Sequence, residues 1–393
     1  MKFCAVICEY NPFHNGHAYQ LDFIRRHSGC DKIICLMSGN FTQRGEAAVF
    51  HKYTRARHAI EGGADVVLEL PAAFSVAPAE LFARGAVHVL ASIPAVKALA
   101  FGCESGGKED FFTYARATSE EDKTFKATLK SNLKSGDSYI RARNAALLAL
   151  HPELDDALLS SPNNILGIEY CRAILAENSA IEPLPIPRIG SGHGETKVLK
   201  NYSSASALRE LLGNPARAAK KALKGNLPEG VFEDVSSYRP TAYAQAAMCA
   251  LLSSREEAIA RTPDCAEGLE NRLLSMARSN PNYDDLLKKT VSKRYTLSRI
   301  RRVIAQNFLG ISLGNVKSYL EGALYYKVLA VKKEGAEEIL AELKGAFPAI
   351  VRKSDYSLLK KDALECFRLD VHANDLYAAL TGNYVNEFQT LFV

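Results

Sequence analysis

Between residues 2 and 102 short apolar runs alternate with stretches of helical spacing. Lys2 to Cys8 (KFCAVIC) is apolar and β-rich, and Asn11-Pro12 behind it marks a turn. From His14 onward Tyr19, Leu21, Phe23 and Ile24 supply the apolar set of a helix. Lys32 to Met37 predicts a second buried strand, stopping at Ser38-Gly39-Asn40. Tyr53 to Glu61 has helical spacing and ends at Gly62-Gly63. Asp65 to Leu70 (DVVLEL) predicts a third strand closed by Pro71, Glu80 to Ser92 a helix, and Val96 to Phe101 a fourth strand ending at Gly102. This alternation predicts an α/β fold with a doubly wound, mostly parallel sheet. Ligands of such sheets gather at the carboxyl ends of the strands, where Cys8-Glu9, Ser38-Gly39 and Gly102 fall.

Residues 107–160 have a charged helical pattern, an excursion from the sheet. Pro183 to Pro187 leads into Gly190-Ser191-Gly192-His193-Gly194, and Ser204 to Leu212 opens another helix. After about residue 235 the alternation fades into helices, with a mixed segment at Leu324 to Glu338 that has room for a strand or two. The expected division is 1–235 for the sheet domain and 236–393 for a mainly helical one. No run approaches the roughly 20 apolar residues of a membrane helix, and residues 1–8 lack the pattern of a signal peptide. A cytoplasmic protein is expected. Nine cysteines include no CxxC pair and most sit among apolar neighbours, which favours buried free thiols over disulfides or zinc. The net charge of +5 is too mild to identify a nucleic-acid partner by itself.

The chemistry concentrates at His14-Asn15-Gly16-His17, after a strand and a turn and at the opening of a helix. Histidines three apart on a first turn share a face. A helix start adds unpaired N–H groups and partial positive charge, and Gly16 lets a ligand approach the backbone. Such a place suits nucleotide phosphates, with His14 and His17 donating to charge that grows in the transition state. Two histidines three apart also occur by chance on an exposed helix. Zinc is the other alternative, but no third ligand stands nearby. Ser203-Ser204-Ala205-Ser206-Ala207-Leu208-Arg209 begins a second helix, where Ser206 and Arg209 could hold the far phosphates or simply cap and decorate it. The glycines at 190, 192 and 194 lack P-loop spacing; they form either a flexible loop or a lid, with Arg188 beside it as an anion clamp. Lys52, Arg55 and Arg57 either gather anions or make a solvated basic helix.

Longer stretches carry a resemblance. Glu9-Tyr10-Asn11-Pro12-Phe13-His14-Asn15-Gly16-His17, Ser38-Gly39-Asn40-Phe41 with Gln43-Arg44-Gly45-Glu46, Gly63-Ala64-Asp65 running to Glu69-Leu70-Pro71, Ser161-Pro162-Asn163-Asn164-Ile165-Leu166-Gly167, and Lys293-Arg294-Tyr295-Thr296 with Arg299 resemble the bacterial tRNA(Met) cytidine acetate ligase family, within the HIGH-type nucleotidyltransferase superfamily. The likeness spans nearly the whole chain. It implies a Rossmann-like nucleotidyltransferase domain and a two-step reaction. ATP and acetate give acetyladenylate and pyrophosphate, and the acetyl group then passes to the wobble cytidine of elongator tRNA(Met). It also implies that ATP is held by Ile7, Cys8, Glu9, Tyr10, Asn11, Pro12, Phe13, His14, Asn15, Gly16, His17, Ala18, Tyr19 and Gln20, with Gly102, Asn163 and Arg188. Mg²⁺ is expected on the triphosphate, held through phosphate oxygens and water rather than by a protein cage. Two positions depart from the family: His51 stands where an aspartate usually precedes the lysine, here Lys52, and Gly192-His193-Gly194 stands where Gly-Tyr-His is usual.

In the C-terminal part, Lys293, Arg294, Arg299 and Arg302 lie in a stretch without an acid, and Tyr295 interleaves an aromatic able to stack on a base. Arg299 and Arg302 share a helical face. A solvated cationic helix explains such a run equally well, and the resemblance favours tRNA. Two other readings use the same residues: an adenylyltransferase of coenzyme biosynthesis, and an RNA-binding protein that keeps a nucleotide pocket without catalysis.

Overall fold

The computed structural model describes residues 1–119, 123–135, 139–152, 154, 158–159, 161–188 and 201–393. Its strands are β1 (Phe3–Cys8), β2 (Lys32–Ser38), β3 (Val66–Leu70), β4 (Val96–Cys103), β5 (Glu182–Pro187), β6 (Tyr326–Val331), β7 (Ala349–Ile350) and β8 (Leu391–Phe392). The helices used below are α1 (Asn15–His27), α2 (Lys52–Glu61), α3 (Pro162–Ala176), α4 (Ala205–Leu211), α5 (Arg217–Asn226), α6 (Leu297–Leu309) and α7 (Lys361–Thr381).

All eight strands form one sheet in the order β5-β4-β1-β2-β3-β6-β7, with β8 beside β6. β1 to β5 are mutually parallel, as their alternation with helices requires. Alternate residues of β1 feed opposite cores: Phe3 and Ala5 pack on one face, and Cys4, Val6 and Cys8 on the other. Successive strands move outward from β1 to β3 and then restart at β4 on the other side of β1. The reversal leaves a crevice at the carboxyl ends of β1 and β4. Pro183, Pro185 and Pro187 alternate along β5, which pairs with β4 at the edge of the sheet. A proline has no N–H to offer a further strand, so the edge is blunted.

The sheet crosses the expected boundary at 235. The mixed segment at 324–338 does contain a strand, but β6 joins the N-terminal sheet, antiparallel to β3, with Glu69 opposite Lys327. Lys52 Nζ lies 2.8 Å from Glu69 Oε1 and 2.7 Å from Glu387 Oε1, and Lys327 Nζ also bonds Glu387. Tyr53 Oη donates to the Glu387 carbonyl at 2.7 Å. The chain end is thereby fixed to α2.

Lys52 and Arg55 belong neither to a solvated helix nor to an anion trap, because they are 1% and 0% exposed. Arg55 donates to the carbonyls of Phe50 (3.0 Å), Glu9 (2.6 Å), Ser38 (3.1 Å) and Gly39, tying the loops beyond β1 and β2 together. Arg57 is partly exposed and pairs with Glu61 and Asp234. His51 accepts from Tyr53 N–H at 3.3 Å and so caps α2, the service an aspartate would give there. All nine cysteines are free; Cys249 is exposed, against the general pattern of burial. Among the described residues no helix is long and apolar enough to cross a membrane.

Candidate nucleotide-binding cleft

The carboxyl end of β1 turns sharply. Tyr10 takes a left-handed φ of 47°, a strained conformation for a bulky residue, and its ring packs against Phe13 and His17 with centroids 4.8 Å away in each case. Asn11 Oδ1 accepts from Val49 N–H at 2.8 Å, and Arg55 holds the Glu9 carbonyl. The chain therefore enters α1 in one fixed direction.

That entry is capped by the two histidines themselves. His14 Nδ1 accepts from Gly16 N–H at 3.1 Å, and His17 Nδ1 accepts from His14 N–H at 3.3 Å, a reciprocal box in place of the usual serine and glutamate. The rings stack with centroids 3.7 Å apart. Because each Nδ1 is an acceptor, each ring carries its proton on Nε2, the one donor left for the cleft. Burial, with Arg188 and Arg209 nearby, pulls His14 down to about 3. Burial, His14 and Arg188 hold His17 well below its ordinary value. Both are neutral donors at pH 7.

Gly16 has a role that composition does not reveal. A Cβ there would lie 2.9 Å from His14 Cε1 and 3.1 Å from Nδ1, so glycine makes room for the capping ring.

These residues line a cleft of about 290 Å³ at the β1/β4 reversal. The lining combines apolar side chains, Ile7, Phe82, Phe101, Leu166, Tyr170 and Ile186, with polar and cationic ones, His14, His17, Arg44, Arg188, Ser206 and Arg209. Apolar surface together with cations and a helix start suits a ligand that has both a base and phosphates. Arg209 donates to the Asn11 carbonyl at 2.8 Å and to Ser206 Oγ at 3.1 Å; Arg44 reaches the same hydroxyl at 3.4 Å. Ser204, not Ser206, caps α4, accepting from Ala207 N–H at 3.1 Å. The Arg188 N–H donates to the Cys103 carbonyl at 3.0 Å, and a Cβ on Gly102 would lie 3.3 Å from Arg188 Cγ. Asn163, at the start of α3, donates to Glu104 at 2.5 Å. Glu9 accepts from Gln43 N–H at 2.7 Å; burial raises its pKa against that bond and the pull of Arg209, Arg44 and Arg55. Burial pushes the Cys8 thiol well above its ordinary value, so it is no nucleophile.

Of the residues expected at the nucleotide, Ile7 to Asn11, His14, Gly16, His17, Tyr19, Gln20, Gly102, Asn163, Arg188, Ser206 and Arg209 line the cleft. Pro12, Phe13, Asn15 and Ala18 do not. Phe13 is buried beneath Gly62, where a Cβ would fall 2.3 Å from its Cζ, and Asn15 donates to the Asn201 and Gly225 carbonyls. Sequence reasoning gave no role to Arg44 or Tyr170. Arg44 follows a strand end and was open to inference; Tyr170 lies in ordinary helical spacing and gave no signal. The glycine-rich stretch 190–194 lies outside the described residues.

The basic stretch near 293 is arranged differently from expectation. Tyr295 is 7% exposed and donates its hydroxyl to the Glu267 carbonyl, so no face is open for a base. Arg299 pairs with Glu267 at 3.1 Å and Arg302 with Asp264 at 2.5 Å. Lys293 and Arg294 are exposed. The contact with the cleft comes from Arg301, 2.6 Å from Glu46, where Gly45 (φ 73°) packs directly on the backbone of α6. Among the described residues no group of three or more His, Cys, Asp or Glu side chains is placed to hold a metal ion.

The HIGH Nucleotidyl Transferase family model matches residues 1–390. The tRNA(Met) cytidine acetate ligase of Clostridium acetobutylicum is 33% identical, over 97% of this chain and 96% of its own. That of Clostridium kluyveri is 35% identical over 98% and 96%. The crystal structure of Thermotoga maritima TmcAL in its apo form superposes with a TM-score of 0.92 at 30% identity, and the form bound with alpha-thio ATP with 0.89, each covering both chains completely. The chain belongs to the HIGH nucleotidyl transferase family and, within it, to the tRNA(Met) cytidine acetate ligase family.

Proposed function

We propose that this protein is an ATP-dependent tRNA(Met) cytidine acetate ligase acting in the cytoplasm. The observation that carries the reading is the stacked pair His14/His17, two neutral Nε2–H donors on a helix start that faces three arginines. An acetate oxygen attacks the α-phosphorus of ATP and the bond to the bridging oxygen breaks, releasing pyrophosphate. Charge grows on the bridging and non-bridging oxygens, and fixed donors there favour the transition state over the ground state. Neutral imidazoles suit this role, since they need no proton uptake. His14 and His17 serve the reacting phosphate, and Arg188, Arg209 and Ser206 the outer phosphates.

The exocyclic amine of the wobble cytidine then attacks the acetyl carbonyl, AMP leaves and the amine gives up a proton. The mixed anhydride is needed because that amine is conjugated with its ring and weakly nucleophilic. Mg²⁺ would neutralise triphosphate charge. The carboxylates of the cleft, Glu9 and Glu46, are engaged by Gln43 N–H and Arg301, which supports a metal held by phosphate oxygens and water. Residues 1–235 carry the adenylation chemistry and 236–393 assist tRNA binding.

The test is mass spectrometry of elongator tRNA(Met) incubated with protein, ATP and labelled acetate, beside acetate-dependent exchange of pyrophosphate into ATP. Acetylated cytidine and exchange are expected. Exchange driven by a phosphorylated metabolite and not by acetate would make the protein an adenylyltransferase; tRNA binding without ATP turnover would make it an RNA-binding protein.

A further inference from the structure

Helix α5 carries Arg217, Lys220, Lys221 and Lys224 and no acidic residue. Their spacing of i, i+3, i+4 and i+7 puts them on one face, and all four are exposed. Among the described residues none of the four makes an ion pair. The opposite face, with Ala219, Leu223 and Asn226, is buried. The last turn abuts the cleft: the Gly225 carbonyl accepts from Asn15 Nδ2 at 3.0 Å, and Asn226 Oδ1 accepts from the Ser203 N–H at 2.8 Å. Asn15 stands between His14 and Gly16, and Ser203 lines the cleft. The stripe is roughly 10 Å long at 1.5 Å per residue and ends at the rim of the nucleotide site.

We propose that this face of α5 binds backbone phosphates of the tRNA and leads the target nucleotide into the cleft. The inference rests on the function proposed above. Unpaired cations on a rigid face form the electrostatic footprint of a polyanion. A membrane surface would need the apolar face of the helix for insertion, and that face is packed into the protein. The arginines at 299 and 302 are matched by local acids, whereas the charges on α5 await a partner.

The experiment compares wild type with K220Q/K221Q/K224Q for affinity toward a tRNA(Met) transcript across a salt series. The lysines are exposed, so an unchanged melting temperature is expected. The Kd should rise about tenfold or more at low salt. The slope of log K against log salt should fall by about two to three, since each phosphate no longer neutralised removes about 0.7–0.9. K220R/K221R/K224R should restore both. Equal Kd and slope in wild type and the Gln variant would overturn the inference, as would unchanged tRNA affinity with lost binding to phosphatidylserine vesicles. A wild type that binds tRNA through these lysines but exchanges no pyrophosphate with acetate would keep the stripe and sink the proposed reaction instead.

Discussion

Desolvation acts on ionisable side chains at two places in this molecule with different outcomes, the half-buried histidine pair of the cleft and the buried ion pairs of the β3–β6 seam. At the cleft, His14 and His17 have cations and each other for neighbours, so burial is unopposed and both rings shed their charge. At the β3–β6 seam, burial pulls Lys52 down but Glu387 and Glu69 overcompensate and hold it above its ordinary value. Burial lifts Glu387, yet Lys52 and Lys327 bring it below its ordinary value. Lys327 shares its partners with Lys52 and is lowered by burial and by that like charge. The first set is left with donors at a cleft, and the second pairs its charges within the protein. Burial of a charged residue is therefore no sign of chemistry by itself; what matters is whether its partners come from the protein or from a ligand.

The largest effect should come from Lys52→Met. It leaves Glu69 and Glu387 facing each other in the interior with Lys327 alone between them, and removing one partner of a buried ion pair costs about 3–5 kcal/mol. The measurement is thermal and urea unfolding of the intact chain. A variant as stable as wild type would mean that the seam is not what fixes the chain end to α2.

His17→Ala should sharpen the other half. Losing one donor to a developing charge typically slows a reaction about 100- to 1000-fold, read here as acetate-dependent pyrophosphate exchange. Unfolding should move far less than for Lys52→Met. Exchange at the wild-type rate would remove the histidines from the chemistry.

Gly16→Ala should separate stability from activity. Alanine in a helix is more favourable than glycine by up to about 1 kcal/mol, but the displaced His14 ring gives up its cap on Gly16 N–H, a loss of about 1 kcal/mol, so stability should change little. The new Cβ meets the His14 ring at 2.9 Å and must displace it. Misplacing a group in the site should cost about tenfold in exchange. Undiminished exchange would mean that the position of the His14 ring does not matter.

The contrast also explains what could be read from the chain. Strand, turn and HxGH helix are contiguous, so β1, α1 and the histidine pair were legible locally, and a serine-rich helix start exposed Ser206 and Arg209. Lys52 was opaque: its partners stand 17 and 335 residues away, and no local pattern announces that β6 enters the sheet beside β3. Tyr295 and Arg299 misled for the same reason, since Glu267 and Ala266, which bind them, lie about thirty residues earlier. Periodicity reports which face of an element is apolar and is silent on which distant charge will stand opposite.

The smallest effect is in pH. His14 has a folded value near 3 against 6.5 when exposed, and His17 is shifted the same way. Below pH 6.5 the unfolded chain binds protons that the folded chain refuses, so these two rings make stability fall as pH drops from 6.5 toward 3. Each can contribute at most about 1.4 kcal/mol per pH unit. A double variant H14Q/H17Q keeps an acceptor at each capping position and removes the titration. It should lose less stability than wild type between pH 6.5 and 4.5, while wild-type exchange shows no inflection near 6.5. Parallel loss in both proteins, or an exchange limb at 6.5 that disappears in single His variants, would mean that the rings carry charge in the folded state and act as cations rather than as neutral donors.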